Sequence, residues 1–181
     1  MKELSEHELY QALAYAKNID EECGKKIIEN FKNEQAGLAQ AIFGFFPQII
    51  AQKNTDMAHL FMDLCFDILC VFQHAFGPAQ PQTEMDFDWL EKQAILFDKE
   101  LKALDNNGDM DERIRAKLED RFIDRMIENG TQTGLVSFMN ESIDEFASES
   151  PYRVPAIETT QTMIFIVIRL FSNLYSYKNN R

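Results

Sequence analysis

The sequence predicts an all-α fold, a single-domain bundle of about seven helices over residues 1–181. Three observations carry that expectation. Only seven Gly and five Pro punctuate the chain, so few places interrupt a helix. Apolar side chains recur at three- and four-residue spacing in every long segment, and β-branched runs of strand character are scarce. With 45% apolar and 27% charged residues, the chain has material for both a core and a solvated surface.

The elements follow in order. Ser5 and Glu8 form a capping box, each satisfying a backbone donor of the first turn, and Leu9, Leu13 and Ala16 then share a face to about Asn18. Asp20 is the N-cap of a second helix whose apolar positions are Ile27, Ile28, Phe31, Leu38, Ile42 and Phe45. Pro47 lacks a backbone donor and its ring crowds the preceding turn, so this helix is expected to kink or break near Phe46. Asn54 or Thr55 caps a third helix that stops at Gly77-Pro78. Residues 77–83 read as a short Pro-containing linker between two helical halves. Beyond them Phe87, Leu90, Ala94, Phe97, Leu101 and Leu104 step by three and four as a heptad-like seam. With Ile114, Leu118, Phe122 and Met126 on the next helix, that seam predicts an antiparallel helical hairpin over about 87–128. A sixth helix starts at Thr131 or Thr133 and carries Leu135, Phe138, Met139, Ile143 and Phe146. After a turn from Pro151 to Pro155, the last helix runs from about Ala156 to Tyr177. Its apolar residues wrap all round, as they nearly do on the third, so both belong inside the bundle.

Charge and cysteine usage narrow the function. Thirty acidic residues against 18 basic ones give a net charge of −12, which phosphate backbones repel, so no nucleic-acid partner is expected and a basic protein partner is permitted. Cys23, Cys65 and Cys70 have no CxxC spacing. Cys65 and Cys70 point roughly 140° apart on the third helix, too far to pair without melting it. Free thiols and the lack of an apolar leader at Met1 point to the cytoplasm. The strongest apolar run, Met163 to Ile168, is stopped by Arg169 and is much shorter than the about 20 residues of a membrane span, so no membrane is expected.

The third helix holds the best candidates for chemistry. At about 100° per residue, Asp56, His59, Asp63, Asp67, Cys70 and His74 fall on one stripe roughly 80° wide. Asp56, His59 and Asp63 have the i,i+3 and i,i+4 spacing with which a helix presents ligands to a divalent metal. His59 and His74 lie about 22 Å apart along the axis, so one ion cannot use both, and each half needs ligands from elsewhere. Asp67, Cys70 and His74 form a secondary set with the residue types of a thiol nucleophile and base, without a nearby Gly-rich turn to hold an oxyanion. Asp105 to Asp111 resembles a calcium loop in its first oxygens, but Met110 stands where Gly is required and Ala116 where the bidentate Glu belongs. No phosphate-binding Gly motif occurs.

The expected function is therefore a non-enzymatic helical interaction or regulatory protein, such as an acidic inhibitor or neutralising partner of a basic protein, with no cofactor. A metal-binding protein or metalloenzyme built on the His59/Asp63 stripe is one alternative. A pocket protein for an apolar small molecule is another. Phe43, Phe45 and Phe46, gathered at the expected break, form the candidate interaction patch. Fifteen Phe and eight Met exceed what one seven-helix interior comfortably holds, which suggests a homodimer.

Overall fold

A computed structural model describes residues 1–93, 95 and 132–179. Among them every regular element is helical, and no strand occurs. The helices are α1 (Glu6–Lys17), α2 (Glu21–Glu34), α3 (Ala36–Gln40), α4 (Phe46–Ala51), α5 (Thr55–Phe76), α6 (Thr133–Ser148) and α7 (Ile157–Asn179). Short 3-10 turns cover Gln82–Glu84 and Pro151–Ala156, and residues 87–93 are helical.

The caps form where the sequence places them. Ser5 and Glu8 close a capping box on α1, Asp20 accepts from the Cys23 N–H on α2, and Asn54 accepts from the Met57 N–H on α5. Gly77 ends α5 with φ of 80°, a left-handed conformation that glycine adopts without a Cβ penalty. The start of α6 has no local side-chain cap. Glu3 supplies one from 130 residues away by accepting from the Thr133 N–H at 2.9 Å. Beside it the buried Gln132 accepts from the Leu4 N–H at 2.7 Å and donates to the Lys2 carbonyl at 2.9 Å.

The second helix read from Asp20 through Phe45 is interrupted at Gln35, where a non-helical φ of −129° ends α2 before α3, and the kink or break expected near Phe46 takes the form of a π-turn. Residues Ala41–Phe45 widen so that the Phe46 N–H reaches back to the Ala41 carbonyl, five residues earlier. The wider turn lets the chain pass Pro47, which cannot donate, and continue directly into α4.

Helices α5 and α7 lie at the centre. On α5, Met57, Phe61, Cys65, Ile68, Leu69, Val71 and Phe72 are wholly enclosed; on α7, Met163, Ile164, Val167, Ile168 and Phe171 are too. Rings from three helices stack through this core: Phe31 on Phe171 at 5.5 Å, and Phe171 on Phe72 at 5.3 Å between centroids. Tyr175 and Phe76 extend the run, which explains much of the high Phe content. The stretch Pro151–Tyr177 is long and apolar enough by length and composition to cross a membrane, contrary to the shorter run read from the sequence. It packs against α5 and α6, and burial in the bundle is sufficient to account for its composition.

Segment 77–83 is hydrogen-bonded to the α2–α3 junction. Gln35 on the α2–α3 junction donates to the Gln80 carbonyl, the Gly37 N–H donates to Gln82 Oε1 at 3.0 Å, and Met85 is buried. Of the heptad-like seam, Phe87 is 75% exposed and Leu90 half-buried. Ala94, Phe97, Leu101 and Leu104, the rest of the hairpin over 87–128, and the acidic turn at Asp105 to Asp111 lie outside the described residues.

Candidate functional site

The α5 stripe is split by α1, which packs along the C-terminal half of α5. Ala12, Leu13 and Ala16 bury their side chains, and their neighbours Tyr15 and Lys17 reach the stripe. Tyr15 stacks on His74 with centroids 4.6 Å apart, and Lys17 Nζ lies 2.5 Å from Asp67 Oδ2. Burial pushes the Asp67 carboxyl above its ordinary value; the Lys17 hydrogen bond and charge pull it partly back, and Asp63 adds a smaller upward push. The net direction is upward because Lys17 remains largely in water while Asp67 is 7% exposed.

Cys70 is fully enclosed, and burial with the adjacent Asp67 charge raises its thiol to about 12. Burial alone raises the Cys65 thiol well above its ordinary value. Cys23 is exposed, but its hydrogen bond to Asp20 and the charge of that carboxylate raise it as well. A thiol with a raised pKa is protonated at neutral pH and is a poor nucleophile. Among the described residues no hydrogen bond joins Cys70 to His74. The structure thus buries Asp67 and Cys70 and leaves His74 exposed beside Tyr15, without making a nucleophile of them.

The other half of the stripe stays on the surface. Asp56, His59 and Asp63 are exposed, and Asp56 pairs with Arg153 at 3.4 Å. Arg153 also donates to the Phe146 carbonyl at 2.9 Å and to Glu149 at 3.0 Å, and its guanidinium lies 3.7 Å over the Phe146 ring. This arginine ties the start of α5 to the end of α6. Among the described residues no group of three or more His, Cys, Asp or Glu gathers as a metal would require.

The aromatic patch is also divided. Phe46 is fully buried and packs edge-on to Phe61, Phe43 is half-buried against Phe31, and Phe45 alone is substantially exposed. The continuous π-turn explains this, since it directs the three rings differently instead of leaving them together at a break.

A cleft of about 560 Å³ is the feature that reading the sequence missed. Leu38 and Ala41 line it from one side of the chain, Trp89 and Leu90 from another, and Leu170 and Leu174 from α7. Its polar lining includes Gln35, Gln82, Gln93 and Glu91, and Glu91 is the single charged residue among the described lining. Each glutamine is held by one half of its amide. Gln35 is 3% exposed and donates through Nε2 to the Gln80 carbonyl and the Met85 sulfur. Gln82 accepts through Oε1 from the Gly37 N–H, and Gln93 accepts through Oε1 from Asn173 at 2.9 Å. Among the described residues, Gln35 Oε1 and the Nε2 groups of Gln82 and Gln93 have no hydrogen-bond partner. Nothing in the local pattern of the sequence marks these residues, because they come from four separate stretches. No protein family, curated protein or solved structure matches the chain.

Proposed function

We propose that this protein acts by binding rather than by catalysis, and that the cleft between the α2–α3 junction, segment 82–93 and α7 takes an apolar ligand. The observation that carries this reading is the cleft itself. Its volume lies within the range of small-molecule sites, and it combines apolar walls with a few fixed polar groups, which is how such sites obtain affinity and orientation. The raised, buried thiols of Cys65 and Cys70 favour binding over nucleophilic chemistry. The basic-partner reading draws less support, because on α2 Glu21 pairs with Lys25 and Glu22 with Lys26, neutralising part of the acidic surface.

Trp89 is the only tryptophan and lines the cleft, so its fluorescence reports occupancy directly. Titration of the full chain with Nile red, an uncharged apolar dye, is expected to saturate at one dye per chain and to quench Trp89. Leu38→Glu and Leu90→Glu, at half-buried positions in the lining, should each weaken binding about tenfold or more with the helical circular dichroism retained. Absence of saturable binding, or dye binding that neither folded variant alters, would overturn the proposal.

A further inference from the structure

We infer that the cleft selects an uncharged amphiphile whose head both donates and accepts hydrogen bonds, a primary or secondary amide on an apolar chain, over a fatty carboxylate or an alkylammonium. The inference rests on the binding reading above and names its ligand class. Three observations support it. The walls supplied by Leu38, Leu170 and Leu174 can take only hydrocarbon. Two glutamines have a fixed sense, since Gln35 is held through its nitrogen by a backbone carbonyl and offers an oxygen, while Gln82 is held through its oxygen by a backbone N–H and offers N–H donors; Gln93, paired with the Asn173 amide, can turn with it and offer a donor. The buried Gln35 is the strictest of the three, because its amide is fixed by the Gln80 carbonyl and Met85 and cannot turn over without losing both.

The charge pattern points the same way. No cationic side chain is among the described lining residues, Glu91 is anionic, and the chain carries −12 overall. A carboxylate head would leave Gln35 Oε1 facing another acceptor and would be repelled by Glu91. An ammonium head would satisfy Gln35 and Glu91 but leave the donors of Gln82 and Gln93 facing a group with nothing to accept them. An amide supplies a carbonyl for the glutamine donors and an N–H for Gln35, so it answers all three glutamines.

The test uses decanamide, 1-decanol, decanoate and decylammonium, each below its aggregation threshold, titrated into the full chain with Trp89 fluorescence as the readout. Decanamide is expected to bind at least about fivefold more tightly than decanoate or decylammonium, the factor one net hydrogen bond is worth, with decanol between. Gln93→Met should reduce decanamide affinity about fivefold more than it reduces Nile red affinity, a difference that a general loss of the cleft would not produce. Glu91→Lys, at an exposed position, should raise decanoate affinity several-fold relative to decanamide affinity. Equal affinity for all four heads, tightest binding of decanoate or decylammonium, or no response to Glu91→Lys overturns the inference while the binding reading stands on Nile red. Failure of Nile red and all four amphiphiles together overturns both.

Discussion

The two histidines of the α5 stripe have the same chemistry and the same helix face but different neighbours. Both are exposed, but His59 stands beside Asp56 and Asp63, whereas His74 carries Tyr15 stacked on its ring. His59→Ala should therefore change unfolding free energy by no more than about 0.5 kcal/mol, as surface substitutions do. His74→Ala should cost about 0.5–1.5 kcal/mol, the range of a stacked pair; urea denaturation of both variants checks the difference. Asp67 makes a prediction in pH. Its folded-state pKa is raised, so its contribution to stability is fully present below the unfolded value near 4 and is lost as pH rises through the folded value. Burial disfavours the charged form of this carboxylate, a cost that Lys17 only partly relieves. Asp67→Asn should thus leave stability at pH 7 unchanged or higher, and the advantage of the variant should shrink on acidification toward pH about 4. Urea midpoints falling in parallel for the two proteins across that window would contradict this account.

At the scale of elements, α5 shows how much a helix owes to its ends. Gly77 adopts φ of 80° with nothing within 4 Å of where a Cβ would stand, so Gly77→Ala tests backbone strain without a steric clash. A cost of about 1 kcal/mol is expected, read as a lower thermal midpoint with an unchanged far-ultraviolet spectrum at room temperature. The caps at Ser5, Asp20, Asn54 and Gly77 were legible in the sequence because capping depends on residues within four positions of one another. The α6 cap was not legible, because Glu3 meets the Thr133 N–H only after the chain has folded. Pro47 lies between these cases: its missing donor announced an irregularity, but a π-turn rather than a break resolved it, since Ile42 and Phe46 on either side of the turn are both fully buried and hold the segment on the core.

At the scale of the molecule, the Phe count suggested a second copy, yet one chain houses most of the described rings. Phe31, Phe46, Phe61, Phe72, Phe165 and Phe171 are buried, and only Phe45 and Phe87 are strongly exposed among the described phenylalanines. Light scattering at tens of micromolar should report the mass of one chain in both low and high salt; a doubled mass that grows with salt screening would restore the homodimer and direct attention to Phe87. The sequence by itself determined the helical class, the boundaries of α1, α5, α6 and α7 to within a few residues, and the central places of α5 and α7, because helical period, caps and uniform apolarity are local properties of the chain. The tertiary structure decided which polar groups matter. It buried Asp67 and Cys70, set Lys17 and Tyr15 of α1 against Asp67 and His74, paired Asp56 with Arg153, and gathered Gln35, Gln82, Gln93 and Trp89 around one cleft. Such a gathering is set by packing between elements distant in sequence, where spacing along the chain carries no information about which side chains will face one another.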